Sequence, residues 1–415
     1  MRKLAALAIG FTLAALFATA QPKKFVTVKG KQLYTTDNRP LQIRGVNLGG
    51  WLAPEGYMLK MKEVSSARQI EELVNELAGP DDVRTFWNSY LNNFVSQLDI
   101  RFIKMAGCNV VRVPFNYRLF TSETYLGAND PNRGFALLDR LIGWCREEKL
   151  LVILDMHAAP GGQTGDDIDD SYGYPDLFTS VAARQKAVEI WARIAAHYRN
   201  EPAVLGYDLL NEPVAHYFDI ASLNTRIEPL YREIVAAIRK TDKNHIVIMQ
   251  GAQWGSNFRI FGKPFDAKSV YSFHKSWTEA DQSVLKDYLD FSNRYNVPLI
   301  CGEISEGRNE MLQASAKMLD KNEIGYLFWP YKKMESESCM ISFARPAGYD
   351  ELLAYASKKR ETMEQLRKAA LNRNEAKSLL MALAESCRYP NGKVNKDYIS
   401  ATGIGNNRYK AVTAR

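Results

Sequence analysis

The chain has 415 residues, 46% of them hydrophobic and 24% charged, a globular balance that excludes wholesale disorder, collagen-like repetition and a disulfide-dense mini-protein. The formal charge is +7, but 13 basic against 5 acidic residues fall in 357–415; without interleaved aromatics this reads as a solvated helical face, not a nucleic-acid site. Five cysteines (Cys108, Cys145, Cys301, Cys339, Cys387) are scattered without C-x-x-C, which excludes a zinc ribbon or dithiol redox motif and leaves at least one thiol outside any internal disulfide.

Arg2 and Lys3 precede an apolar run from Leu4 to Phe17, and Ala18-Thr19-Ala20 supplies the small residues that signal peptidase accepts. The expectation is a secretory leader over 1–20 and a periplasmic or extracellular protein. The run is short for a bilayer span, and no later segment is long, apolar and uncharged, so no membrane span is expected.

Residues 25–34 read as a short hairpin with a Lys-Gly turn. Eight apolar runs rich in β-branched residues follow, separated by helical stretches: 43–48, 109–115, 150–157, 204–212, 245–249, 270–274, 298–303 and 325–329. Near-continuous apolar strands alternating with helices mean a parallel sheet covered on its outer face. Eight such units predict an α/β fold, a closed (β/α)₈ TIM barrel over 21–356, with a helical insertion after the first strand from about Met61 to Gln97. A basic C-terminal helical extension and tail occupies 357–415, helical between Tyr349 and Ala384 and loosely ordered after Cys387.

In such a barrel the C-terminal strand ends converge on one mouth. They carry Arg112, His157, Asn211 with Glu212, His274, Glu303 and Trp329. Two carboxylates on facing strands, with an aromatic, an amide, a guanidinium and two imidazoles, suit glycoside hydrolysis: one carboxyl protonates the leaving oxygen while the other attacks the anomeric carbon or activates water. Trp329 offers a face to a sugar ring, Asn211 a hydrogen bond to its 2-hydroxyl, and Arg112 a charge that keeps the nucleophile ionised.

The segments IRGVNLGGWL (43–52), VRVPF (111–115), DMHAAPGGQ (155–163), LNEP (210–213), FH (273–274), GE (302–303) and FW (328–329) together resemble glycoside hydrolase family 5. The Gly-Gly-Trp, the His-x-Ala-Pro-Gly-x-Gln loop and the insertion are closest in look to its exo-β-1,3-glucanase and β-glucosidase branch. The resemblance implies a retaining hydrolase of β-glucans or β-glucosides without metal or cofactor. It makes Glu212 the acid/base and Glu303 the nucleophile, with Arg112, His157, Asn211, His274 and Trp329 lining the sugar site; Trp51 and Tyr57 are candidate sugar platforms. One position departs: where the family carries His-x-Tyr, Ser276 stands third, so Trp277 or Tyr271 is expected to turn toward the mouth and donate to Glu303.

Two rivals remain open from the sequence, an endo-β-1,4-glucanase or mannanase of the same family and a non-catalytic glycan-binding barrel; a third, a metallohydrolase using Asp155, His157 and His274, fails. The last lacks a further ligand at metal spacing. The acidic run Asp166 to Asp170 lacks EF-hand spacing and is expected to be a substrate-rim loop. The cysteines are expected to be reduced core residues, a Cys339–Cys387 bridge being conceivable.

Overall fold

The computed structural model describes residues 25–276, 280–305 and 307–405, with the backbone alone of Ser276 and Ser305. The leader expected over 1–20, Trp277 and the last ten residues lie outside them.

Eight parallel strands close into a barrel in chain order: β1 (Arg44–Asn47), β2 (Val110–Asn116), β3 (Leu151–Ala158), β4 (Val204–Asp208), β5 (Ile246–Gln250), β6 (Ser269–Ser276), β7 (Leu299–Ser305) and β8 (Gly325–Trp329). All eight expected runs form these strands. β8 returns to β1 through the register Tyr326 to Arg44. Strand parity sorts the side chains between two interiors. On β3, Val152, Leu154 and Met156 join the cluster beneath the helices, whereas Ile153 joins Val110, Leu205, Ile248 and Ile300 inside the barrel. Both faces are therefore buried, which is why the strands read as continuous apolar runs.

The hairpin strands Thr27–Lys29 and Gln32–Tyr34 send Val26 and Leu33 into the barrel-interior cluster and plug its floor. Above that apolar floor the inward positions turn polar: Arg112, Asp155, His157, Gln250 and His274 are all buried. β7 carries a register shift between Cys301 and Glu303, and the carbonyl of Gly302 there accepts from the Asn47 amide at 3.1 Å.

The insertion folds into helices Ala67–Leu77 and Pro80–Phe94. The first starts at a reciprocal Ser66/Gln69 capping box, and the second has proline in its first turn. The C-terminal helix Arg373–Ser386 packs on them: Asn93 donates to the carbonyl of Ala384 at 2.8 Å and Lys377 meets Asp82 at 2.7 Å; earlier in the extension, Arg360 meets Glu76 at 2.6 Å. Part of the basic excess of the extension thus faces acidic residues of the insertion. Lys332, fully buried, donates to Asp99 at 2.6 Å and to the carbonyls of Phe94 and Cys387 at 2.6 and 2.9 Å, tying barrel, insertion and extension at one ammonium.

Two expectations are corrected. The stretch from 388 to 405 is ordered: Lys393–Val394 pairs with Ile341 and Ser342, helix Lys396–Ala401 buries Tyr398 and Ile399, and the Asn395 amide donates to the carbonyls of Ser336 and Cys339 at 2.9 and 2.8 Å. No Cys339–Cys387 bridge forms; all five cysteines are free and buried, and burial raises the thiols of Cys108, Cys301, Cys339 and Cys387 to about 12. Among the described residues no helix is long and apolar enough to cross a membrane.

Candidate active site

Arg112 is the hub of the mouth. Its side chain is wholly buried and its donors are spent on five neighbours. Nη1 meets Glu303 at 2.6 Å and Asn47 at 2.9 Å; Nη2 meets Asn211 at 2.8 Å and Asp155 at 3.0 Å; Nε meets Asp208 at 2.8 Å. Burial alone would lower the guanidinium pKa, but Asp155, Asp208 and Glu303 outweigh it and hold the charge. Burial pushes Asp155 up to about 7 and Asp208 to about 6, with Arg112 opposing both shifts. An Arg112→Ala variant leaves three buried carboxylates without their cation. Its unfolding free energy should fall by about 3–5 kcal/mol, read as an earlier urea midpoint at pH 7; a midpoint within error of the parent would remove Arg112 from this role.

The two glutamates reach the mouth differently. Glu303 leaves β7 at the register shift and lies against Arg112. Glu212 stands four residues beyond the end of β4, because the chain leaves the strand at Asp208 instead of continuing to residue 212. Its φ is +48°, a left-handed backbone that a non-glycine residue holds only when its surroundings over-determine it. They do. The N–H of Glu212 donates to Gln250 at 2.9 Å and its carbonyl accepts from Thr164 at 2.8 Å. Gln163 donates to the carbonyls of Asn211 and His157 at 2.9 and 2.7 Å.

His274 stands between the pair, with Nδ1 2.8 Å from Glu212 Oε1 and 3.8 Å from Glu303 Oε2. Gly302 makes room for it: a Cβ there would come within 2.8 Å of His274 Nε2. Burial lowers both His274 and His157 to about 4, so both rings are neutral at neutral pH. Burial also raises Glu212 and Glu303 above the usual carboxylate range; Arg112 opposes this at both, but touches only Glu303. Glu212, His274 and Glu303 each bring one atom within 4.8 Å of the others, so the carboxyl groups face each other closely. The same three atoms would span a divalent cation, but the Arg112 guanidinium already holds the Glu303 carboxylate and would repel one.

The aromatic wall of the mouth is Trp329 with His157. The rings are nearly parallel, 5° apart in plane and 5.3 Å between centroids, and the indole N–H donates to the Tyr57 hydroxyl at 2.6 Å. The indole fits because residue 49 is glycine; a Cβ there would sit 2.5 Å from Trp329 Cη2. Across the barrel, in the loops after β4 and β5, the Trp254 ring meets His216 and Tyr217 edge-on at 4.7 and 6.0 Å. It rides on a left-handed turn, Gln253 to Gly255, with φ of 50°, 56° and 76°.

Arg112, His157, Asn211, Glu212, His274, Glu303 and Trp329 are therefore brought together as the strand-end rule expects. Trp51 is not. It is wholly buried and its indole donates to the carbonyl of Leu91 at 2.8 Å, so it anchors the insertion and touches no substrate space. Tyr271 also fails the expectation: its ring packs outward on Phe261 and Phe291. Of the acidic run, Asp169 accepts the backbone N–H of Thr164, Gly165 and Ser171 and Asp170 accepts from Arg68 and Asn116; these two shape the loop, while Asp166 accepts from the exposed Tyr217 hydroxyl at 2.7 Å. Asn47, Asp208, Gln250 and Glu55 were not foreseen. Glu55 is 5% exposed, its Oε1 lies 3.8 Å from His157 Nε2, and that oxygen has no hydrogen-bond partner.

Residues 70–335 match the family model for cellulase, glycosyl hydrolase family 5. A beta-xylosidase of Phanerodontia chrysosporium is 31% identical over 239 residues, 57% of this chain and 48% of the relative. A glucan 1,3-beta-glucosidase of Candida oleophila is 30% identical over 266 residues, 59% of this chain and 60% of the relative, so the chain spans about half to three fifths of these two. An endogalactoceramidase structure superposes with a TM-score of 0.56 over 75% of each chain at 20% identity, a likeness of fold. With the family model covering most of the barrel, the chain belongs to glycosyl hydrolase family 5 and is a glycoside hydrolase.

Proposed function

We propose that the protein is an exported, retaining β-glycosidase acting on β-glucosides or β-glucans from a chain end. In this reading Glu303 is the nucleophile and Glu212 the acid/base. The observation that carries it is an asymmetry at one guanidinium: Arg112 contacts Glu303 at 2.6 Å and makes no such contact with Glu212. Burial raises both glutamates; the contact favours the ionised form of the attacking carboxylate against that shift, while Glu212, which lacks such a contact, can hold the proton. A carboxyl oxygen of each within 4.8 Å of the other suits the roughly 5–5.5 Å spacing of double displacement better than the roughly 6.5–9.5 Å of single displacement.

Glu303 attacks the anomeric carbon and forms a glycosyl ester as Glu212 protonates the departing oxygen. Glu212, now a carboxylate, then takes a proton from water, which opens the ester. Arg112 fixes Asn211 Oδ1, leaving a buried Nδ2 without a protein partner to donate to the sugar's 2-hydroxyl. Trp329 and His157 wall the ring, and Glu55 accepts from its hydroxyls.

The names of the similar proteins support β-linked glucose or xylose, and the loop Ala158 to Phe178 and the insertion are long enough to wall the mouth, which favours attack at a chain end. The leader pattern supports export. Laminari-, cello-, gentio- and manno-oligosaccharides should separate the specificities. The anomer first released, followed by NMR, should be β; an α product would overturn the retaining assignment, and inertness toward every β-glycan would favour a glycan-binding barrel.

A further inference from the structure

Two lysines follow one another on the short strand Lys332–Met334, just past the end of β8. Neighbours on a strand project to opposite sides, and neither side is open to solvent here: Lys332 is fully buried and Lys333 is 7% exposed. An ammonium so placed is costly without partners. Lys332 finds its partners in Asp99 and in the carbonyls of Phe94 and Cys387. Lys333 points the other way, and its Nζ lies 4.4 Å from the centroid of the Tyr57 ring.

Tyr57 joins that ammonium to the aromatic wall, because its hydroxyl accepts the Trp329 indole N–H at 2.6 Å. The residue is 41% exposed, so packing alone does not fix its rotamer. A cation on the ring face and a donor at the hydroxyl hold it at two points.

The strand that carries Lys333 is held from the C-terminal extension. Across one small sheet Lys333 pairs with Ser342, and Ser342 with Lys393. Asn395, two residues on, closes that sheet. Its side-chain amide donates to the carbonyls of Ser336 and Cys339 at 2.9 and 2.8 Å, and its backbone N–H to that of Met340 at 3.0 Å. The turn Gly56–Leu59, which carries Tyr57, is held likewise: the Tyr349 hydroxyl donates to the carbonyl of Leu59 at 2.6 Å. Segments beyond the last barrel strand therefore seat both the lysine and the tyrosine.

We propose that Lys333 is a positioning residue for the aromatic wall: seated by the C-terminal extension, its ammonium holds Tyr57 where the hydroxyl fixes the Trp329 indole. The inference rests on the β-glycosidase reading above, which sets Trp329 against the sugar ring. The test measures KM and kcat on whichever of 4-nitrophenyl β-glucoside and β-xyloside the parent cleaves, with a urea midpoint for every variant. Lys333→Met keeps the apolar stem and removes the charge; it should raise KM about fivefold or more and leave kcat within about twofold. Lys333→Arg, which keeps a cation over the ring, should restore KM. In a Tyr57→Phe background Lys333→Met should add little, since the two residues act as one unit. Asn395→Ala, at the far edge of the sheet, should raise KM in the same sense, whereas Lys377→Ala, which frees only Asp82 of the insertion, should not. A folded Lys333→Met with the parent KM would overturn the positioning role, and so would full additivity with Tyr57→Phe, which would put the effect of the lysine elsewhere. If Lys333→Met does not fold, Asn395→Ala decides in its place, and the parent KM there overturns the proposal. A parent that cleaves no aryl β-glycoside would instead remove the reading on which it rests.

Discussion

Glu303→Ala should lower turnover on every β-glycoside by on the order of 10⁵-fold, since a covalent route loses its nucleophile and water alone is a poor substitute. The alanine leaves a void beside Arg112, whose charge is then free to attract a small anion. Added azide or formate should enter it, attack the same face of the anomeric carbon, and release the α-glycosyl azide or formate. The measurement is product stereochemistry by NMR with and without azide. Rescue in Glu212→Ala giving the α-azide would mean that the two roles are exchanged.

Glu212→Ala should behave in the opposite sense across substrates. General acid/base assistance is worth roughly 10²–10⁴ in rate, and only poor leaving groups need the proton. Natural oligosaccharides should lose activity within that range, while 4-nitrophenyl glycosides should keep a fast first step and accumulate the glycosyl enzyme, seen as a burst of nitrophenol. The pH profile carries a second sign. Burial raises Glu212, and its protonated form is the active one in the first step, so parent activity should fall as pH rises through that raised pKa. The variant has no such proton to lose, and its alkaline limb in kcat/KM should be absent. An alkaline limb that survives unchanged would assign the titration to another group.

The barrel was legible because each strand is buried on both faces, which forces a run of apolar residues that helices do not imitate at that length. The site was legible for the same reason, since polar residues ending such runs have few other reasons to be there. Parity would have improved the reading. Ser272 and His274 point inward on β6, so Tyr271 must point outward, and the same strand-end rule reaches Asp208 and Gln250. Glu55 and Trp51 follow no periodicity. Both lie on the loop after β1, whose path is set by the insertion packed against it: Leu91, forty residues away, fixes Trp51, and no local pattern reports that. The order after Cys387 is hidden similarly. Tyr389, Pro390, Asn391 and Gly392 have the composition of a loose turn, whereas the strand that follows is held by Ile341 and Ser342, which only the closed chain brings near. Trp277, which the serine at position 276 brought forward, stands outside the described residues; among those described, His274 Nδ1 lies 3.8 Å from Glu303 Oε2.

The five buried thiols bear on what the proposed export would ask of this chain. An oxidising compartment acts on thiolates, and burial holds four of these groups near 12 and raises Cys145 further, so the folded chain presents almost no thiolate to an oxidase or to a stray disulfide. For a chain exported as proposed, the hazard is confined to the interval between translocation and closure of the barrel. Folding speed, not the absence of cysteine, then sets how much protein escapes mispairing. A thiol-directed dye given to the mature enzyme would react only when a molecule opens, and its rate of uptake becomes a clock for unfolding.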